Sequence, residues 1–207
     1  MLLRHGRTAD NASSRIQGQL DTPLDDLGRA QAEAVAPVLA ALAPAALVCS
    51  DLARAAATIA PLAATTGLPV AYDPRLRELH LGAWQGLTLS EAAERYPDEH
   101  AAWRDGTDVA RGGGETYAAA AARASACLRE HLPALPAGRT LVAVTHGGTA
   151  RATLAAMLEL PADSWGRLTG LDNCSWSVLV EHPLGWRLEQ HGARVQVPVT
   201  HADAGAL

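Results

Sequence analysis

Two histidines and two arginines lie at the ends of segments that the sequence predicts to be β-strands. Arg4 and His5 end the first apolar segment, and Arg54 lies shortly after the second. His146 directly follows a later one, at residues 141–145. Ligands of an open α/β sheet bind outside the carboxyl ends of its strands. If these strands are neighbours, we expect the four side chains to converge on one crevice.

Such a set of side chains suits phosphoryl transfer to a histidine. The reaction depends mostly on positioning and on stabilising charge around three equatorial oxygens. Arg4 and Arg54 each offer a planar fork of donors for those oxygens, and histidine is a competent nucleophile when its ring is held in one tautomer. We expect His5 to attack phosphorus, His146 to donate a hydrogen bond to the developing charge, and Gly147 to let the backbone approach the anion.

A general acid is also required. The departing alkoxide needs a proton, and the water that attacks in the second half-reaction must lose one. Glu78 is the candidate, since it follows a short strand predicted at 70–72 and opens an irregular segment.

Composition excludes several other kinds of chemistry. The 207 residues are 48% apolar and 19% charged, as is typical of a globular protein. Because lysine does not occur, Schiff-base chemistry, pyridoxal phosphate and a P-loop lysine are excluded. The net charge of −5 argues against a nucleic-acid partner, which usually requires a basic face.

Cysteine spacing and hydropathy give further expectations. Cys49, Cys127 and Cys174 are odd in number and widely spaced, which predicts neither a disulfide framework nor a zinc site and favours a reducing cytoplasm. No stretch approaches the roughly 20 apolar residues needed to span a membrane. We expect no cofactor, no metal ion and no membrane partner.

Short strand-like runs alternate with longer helical ones. This pattern predicts a three-layer α/β/α sandwich, with a mostly parallel sheet and an antiparallel edge strand. We expect one domain over 1–207, with a lid-like insertion at about 74–114 that holds at most three short helical stretches. The predicted helices are 25–43, 53–66 and 116–132, and the predicted strands are 1–4, 46–49, 70–72, 141–145 and a hairpin of 176–180 and 186–189.

Several motifs resemble those of the histidine phosphatase superfamily, the phosphoglycerate mutase-like enzymes. They occur in the expected order from the start of the chain to about residue 180. Only three residues precede the Arg-His-Gly motif, so the first strand is expected to be short. The matching segments are 3–11, 23–24, 27–32, 50–55, 76–78, 82–86, 113–115 and 145–148.

The resemblance implies a role for each motif residue. It makes His5 the phosphorylated residue and Glu78 the proton donor, and it assigns Asn11 and Gln17 to the lining of the phosphate and substrate pocket. The phosphate clamp would consist of Arg4, Arg54 and His146.

Three further runs are similar to the actinobacterial glucosyl-3-phosphoglycerate phosphatases within this superfamily. They are 14–22, 79–88 and 173–176. The chain also lacks the longer segment that the mutases carry between the second arginine and the C-terminal histidine, which favours hydrolysis over mutase action.

Three hypotheses stay open at this point. The first is a metal-independent phosphomonoesterase that acts on a small sugar or glycerate phosphate through a phosphohistidine. The second is a phosphoglycerate mutase-type transferase, and the third is a non-catalytic module that binds phosphate. By analogy, the expected assembly is a homodimer.

Overall fold

A six-stranded mixed sheet forms the centre of the computed structural model, which describes residues 1–197. Numbered along the chain, the strands are β1 (Leu2–Arg4), β2 (Ala46–Cys49), β3 (Val70–Tyr72), β4 (Leu141–Thr145), β5 (Trp176–His182) and β6 (Gly185–Ala193). Their order across the sheet is β3-β2-β4-β1-β5-β6. Strands β1 to β4 pair in parallel, whereas β5 and β6 add antiparallel at one side. The predicted mostly parallel sheet with an antiparallel edge is confirmed.

The helices lie between these strands. Within residues 1–197, the α-helices are α1 (Ala9–Ala12), α2 (Asp26–Ala40), α3 (Ala53–Thr66), α4 (Leu89–Arg95), α5 (Pro97–Arg104), α6 (Tyr117–His131) and α7 (Gly147–Met157). Short 3-10 helices occur at Pro74–Leu76, Gly82–Trp84, Arg111–Gly113, Leu132–Ala134 and Ala162–Arg167. None of the described helices is both long and apolar enough to cross a membrane.

Both faces of the sheet are covered by helices. Successive strand residues point to opposite faces. Leu3 and Leu47 therefore pack in one apolar cluster with α2 and α3, whereas Leu2 and Val48 pack in a second cluster with α6 and α7. Burial on both faces explains why the parallel strands are nearly continuous apolar runs. The predicted three-layer sandwich is confirmed.

Most predicted boundaries agree with the structure, and β2, α3, β3 and β4 have the predicted bounds. Helix α2 begins after Asp25, whose carboxylate accepts a hydrogen bond from the Gly28 backbone N–H at 2.7 Å. It ends at Ala40 rather than at residue 43. Ala43 has a φ of +47°, a conformation that a right-handed helix cannot include.

Two aspects of the helix prediction were wrong. Helix α7 is missing from it, because Gly147 and Gly148 open the helix with low helix propensity and its largely buried residues show no apolar period. The segment 74–113 carries five short helical elements instead of at most three. None of the five exceeds eight residues, which is too short to show a clear period of 3.6 residues.

The predicted insertion at 74–114 folds around an apolar cluster of its own. Trp84 is fully buried there and packs with Ala120 of α6. The two ends of the insertion approach closely, since a Cβ on Gly114 would lie 1.9 Å from the carbonyl oxygen of His80. Its action as a lid stays a prediction. So does the single domain over 1–207, of which residues 198–207 lie outside the described part.

Replacing Gly28 with alanine should destabilise the loop that carries His5. A Cβ at Gly28 would lie 2.0 Å from the carbonyl oxygen of Arg7, so the backbone of this loop would have to move. We expect the free energy of unfolding to fall by about 1–3 kcal/mol, the usual cost of overpacking, as measured by chemical denaturation. Gly166→Ala is the control, because no atom lies within 4 Å of its Cβ position. Equal stabilities would contradict this account of the loop.

Candidate active site

The carboxyl ends of β1 and β4 lie side by side at the centre of the sheet. Arg4 pairs in register with Thr145, so His5 and His146 are the next residues of the two neighbouring strands. Their ring centroids are 5.0 Å apart, and both side chains are buried. The topology therefore brings the two imidazoles into one site.

Arg54 lies between the two rings. Its Nε donates to Nε2 of His5 at 3.3 Å and to Nδ1 of His146 at 3.2 Å. The two terminal nitrogens donate to the carbonyl oxygens of Leu20 at 2.6 Å and Gly18 at 2.8 Å, which fixes the orientation of the guanidinium. Its side chain is 0% exposed, so this cation is held entirely inside the protein.

The hydrogen bonds of His5 select its tautomer. Nδ1 donates to the carbonyl oxygen of Gly6 at 2.7 Å, which leaves the lone pair on Nε2, beside Arg54. Burial, and then the charges of Arg4 and Arg54, lower the pKa of His5 well below its usual value of 6.5. The ring is therefore neutral near pH 7, and Nε2 can act as a nucleophile.

His146 is held by a serine behind it. Its Nε2 lies 2.8 Å from Oγ of Ser50, while Nδ1 accepts from Arg54. Burial, and then the charge of Arg54, lower the pKa of His146 well below 6.5. A hydroxyl can donate or accept, so Ser50 also fits the tautomer in which Nδ1 of His146 donates to an anion. The hydrogen bond that we expect His146 to donate to an anion requires the tautomer with its proton on Nδ1.

Arg4 is oriented by the loop before β5. It donates to the carbonyl oxygen of Leu171 at 2.6 Å, while its buried Nε has no partner among the described residues. A Cβ at Gly147 would lie 3.4 Å from that Nε. Gly147 thus allows Arg4 to lie close against the start of α7.

Glu78 caps the helix that begins after His146. Its carboxylate accepts from the backbone N–H groups of Gly148 and Thr149, each at 2.9 Å. This arrangement places a carboxylate at the positive end of the α7 dipole. Glu78 is thereby fixed at the start of α7, the helix that follows β4.

Arg123 of α6 fixes the backbone around Glu78. It donates to the carbonyl oxygens of Arg77 at 2.7 Å and Glu78 at 3.0 Å, and its Nε pairs with Glu115 at 2.9 Å. Sequence reasoning missed this residue. The available signal was a single arginine within an otherwise alanine-rich stretch of helix.

Asn11 and Gln17 present amide N–H groups to the cavity. The side-chain oxygen of Asn11 accepts from the Thr8 backbone and from Asn173, and that of Gln17 accepts from the Thr8 hydroxyl at 3.0 Å. Their amide nitrogens make no hydrogen bond to other residues in the described chain, so both can donate to an anion. Asn173 also donates to the carbonyl oxygen of His5 at 3.1 Å, a contact that sequence reasoning did not assign.

These side chains surround a cavity of about 230 Å³. His146 and Gly147 lie behind its wall, where they support Arg54 and Arg4, and Gly148 lines the cavity instead. A larger cavity of about 380 Å³, next to Met1 at the opposite end of the sheet, contains none of the predicted site residues. The predicted site residues that line the smaller cavity are Arg4, His5, Asn11, Gln17, Arg54 and Glu78.

Comparisons with known proteins identify the family of this chain. The family model described as histidine phosphatase superfamily (branch 1) matches residues 1–194. A glucosyl-3-phosphoglycerate phosphatase of Mycolicibacterium vanbaalenii is 43% identical over 214 residues, which covers 95% of each chain. A probable phosphoglycerate mutase of Yersinia pestis is 37% identical over 216 residues, which covers 100% of this chain and 95% of the relative.

A solved structure resembles the whole fold. It is a mycobacterial glucosyl-3-phosphoglycerate phosphatase in complex with VO3, with a TM-score of 0.87 and 44% identity over 93% of this chain and 97% of that chain. Fold and site together define an α/β protein with two buried histidines around a buried arginine at the carboxyl ends of its central strands. The chain belongs to the histidine phosphatase superfamily.

Both site imidazoles should stay neutral at a pH where a histidine in the unfolded chain is protonated. We expect the ¹⁵N NMR shifts of His5 and His146 at about pH 6 to be those of neutral rings, whereas in denaturant both should titrate near ~6.5. The unfolded chain then binds more protons, so the free energy of unfolding should decrease as the pH falls below about 6.5. Protonated shifts in the folded protein at that pH would contradict the assignment.

Proposed function

We propose that this protein hydrolyses phosphate monoesters through a phosphorylated His5, without a metal ion. One observation carries the proposal: the neutral Nε2 of His5 lies beside Arg54 in a cavity that Arg4 and Glu78 also line. The names of the mycobacterial relatives make glucosyl-3-phosphoglycerate the first substrate to test.

In the first half-reaction, the phosphoryl group moves to the protein. Nε2 of His5 forms a bond to phosphorus while the bond from phosphorus to the ester oxygen breaks. Arg4 and Arg54 stabilise the charge on the equatorial oxygens. Glu78 gives its proton to the departing alcohol oxygen.

In the second half-reaction, water releases the phosphate. The Glu78 carboxylate takes a proton from the water, whose oxygen bonds to phosphorus as the bond to His5 breaks. Glu78 is then protonated for the next substrate. Asn11 and Gln17 donate their free amide N–H groups to the phosphoryl oxygens throughout.

Hydrolysis is favoured over the two other hypotheses. Relatives at 42–43% identity over 95% of the chain are named phosphatases, whereas the relative named a probable mutase is 37% identical. A non-catalytic module would not need both an unprotonated histidine nitrogen and a carboxylate on the same cavity. Incubation with 3-phosphoglycerate distinguishes the two enzyme hypotheses, since a phosphatase yields free phosphate and a mutase yields 2-phosphoglycerate.

The insertion at about 74–114 is proposed to act as a lid. It supplies several residues of the cavity wall, and closure around a substrate would exclude water during the first half-reaction. The homodimer, the cytoplasmic location and the absence of a nucleic-acid partner remain predictions. The lid residues in the wall are Glu78, Leu79, Leu81 and Arg111.

His5→Ala should abolish phosphate release, because the variant lacks the nitrogen on which the phosphoenzyme is proposed to form. We expect wild-type protein, denatured in alkali during turnover of ³²P-labelled substrate, to retain label that acid removes, and the variant to retain none. His182→Ala, in the hairpin at the far end of β5, is the control. Turnover at the wild-type rate in His5→Ala would rule the mechanism out.

Removal of metal ions should leave this activity intact. Among residues 1–197, one group of metal-ligand type occurs, namely Asp73, Cys127 and His131, and the Asp73 carboxylate is already paired with Arg75 at 2.7 Å. We therefore expect EDTA treatment to change phosphate release by less than about twofold, because Arg4 and Arg54 supply the positive charge. A loss that added metal restores would contradict metal independence.

Glu78→Gln should slow esters with poor leaving groups far more than activated aryl phosphates. A general acid contributes roughly 10²–10⁴-fold, and that contribution matters only when the leaving oxygen needs a proton. The measurement is kcat for an alkyl phosphate and for 4-nitrophenyl phosphate, with the exposed Glu94→Gln as the control. Equal losses on both esters would identify another residue as the acid.

A further inference from the structure

Arg111 is a buried cation in the wall of the active-site cavity. It begins the 3-10 helix Arg111–Gly113 at the end of the insertion, and it is 7% exposed. It lines the same cavity as His5 and Glu78. The mechanism described above gives it no role.

Two aromatic rings hold its guanidinium in place. The carbon Cζ of Arg111 lies 4.8 Å from the ring centroid of Tyr117 and 5.7 Å from that of Trp103. Arg151 also packs over the Tyr117 ring, at 4.7 Å. Contacts of this kind stabilise a cation without using its N–H donors. The guanidinium is therefore fixed in position, and its hydrogen-bonding capacity is left unused.

No other residue in the described chain pairs with this guanidinium. The side chain of Arg111 makes no hydrogen bond or ion pair, and its Nε is buried without a partner. Arg54 by contrast donates to two backbone carbonyl oxygens, and Arg123 pairs with Glu115. Buried charges are normally paired, because an unpaired one is costly. The exception therefore requires an explanation.

The cavity has more positive charge than one phosphate needs. Four arginines and a single carboxylate, that of Glu78, line it. Arg4 and Arg54 flank His5 and serve the phosphoryl group, while Arg15 already contacts Glu91 at 3.4 Å. Arg111 is left as the cation available to a second anionic group.

We propose that Arg111 binds a carboxylate on the alcohol half of the substrate. The inference rests on the proposed function and narrows its substrates to phosphate esters of hydroxy acids. A planar guanidinium matches a carboxylate with two parallel hydrogen bonds. Because this contact is made in a site shielded by Trp103 and Tyr117, it discriminates strongly against esters that lack the acid group.

The test compares two esters that differ only in the acid group. 3-Phosphoglycerate carries a carboxylate where glycerol 3-phosphate carries a hydroxymethyl group, and release of phosphate gives kcat/KM for each. We expect the wild-type protein to prefer the acid by about ten- to a hundredfold, as charged hydrogen bonds of this type imply. Glucosyl-3-phosphoglycerate and its carboxyl methyl ester form a second pair with the same expected preference.

Variants then assign the preference to one residue. Arg111→Gln should reduce the ratio of the two kcat/KM values by about tenfold or more, and Arg111→Lys should restore part of it. Arg151→Gln is the matched control, because it removes the cation that also packs over Tyr117 but lies outside the cavity wall. It should keep the wild-type ratio.

The possible outcomes separate this inference from the proposed function. Release of phosphate without a preference for the acid, or a preference that survives Arg111→Gln, overturns the inference and leaves the function standing. Glycerol 1,3-bisphosphate carries a second phosphate in place of the acid group. If it were hydrolysed as fast as 3-phosphoglycerate and depended equally on Arg111, the assignment to a carboxylate would be overturned. Failure of the wild-type protein on all four monoesters contradicts the function itself. If Arg111→Gln does not fold, Arg111→Lys decides, because it keeps the charge but loses the planar fork and should therefore lower the ratio of the two kcat/KM values; an unchanged ratio in that variant would overturn the inference.

Discussion

The buried guanidinium of Arg54 is the interaction on which the site depends. It donates to both imidazoles from a position without solvent exposure, and two carbonyl oxygens hold it there. Because its charge lies beside His5 and His146, protonation of either ring would place like charges together in a buried site. Burial, and then the charges of Arg4 and Arg54, thus lower the pKa of His5 and keep its ring neutral, and in the proposed mechanism Arg54 also attracts the phosphoryl group.

The fold supplies the positions that such a cluster requires. A parallel pair formed by β1 and β4 ends in His5 and His146, and the chain after His146 turns directly into α7. The positive end of that helix holds Glu78 through two backbone hydrogen bonds. The proposed nucleophile and proton donor are therefore placed by strand ends and a helix start, and backbone carbonyl oxygens orient the guanidinium groups of Arg4 and Arg54. This is the preorganisation that phosphoryl transfer needs.

The sequence predicts the parts of this site that follow strand ends. The apolar runs at 46–49 and 141–145 are unambiguous. Arg54 lies shortly after the first run, and His146 directly follows the second. Contacts that join distant segments leave no such pattern. No sequence pattern marks Arg123, which fixes the backbone of Glu78. The same holds for Arg111, which is held by two aromatic rings. Their roles depend on the packing of the insertion, which neither periodicity nor composition describes.

The same packing joins the segment that carries Arg111 to the segment that carries Glu78. The segments that carry Glu78 and Arg111 meet where Gly114 approaches the backbone of His80, with no room for a Cβ. Glu115, the next residue, accepts from the His80 backbone at 2.8 Å and from Arg123, which in turn binds the carbonyl oxygen of Glu78. The residue proposed to bind the acid group and the residue proposed to donate the proton are therefore attached to one packed junction, which fixes the spacing between them.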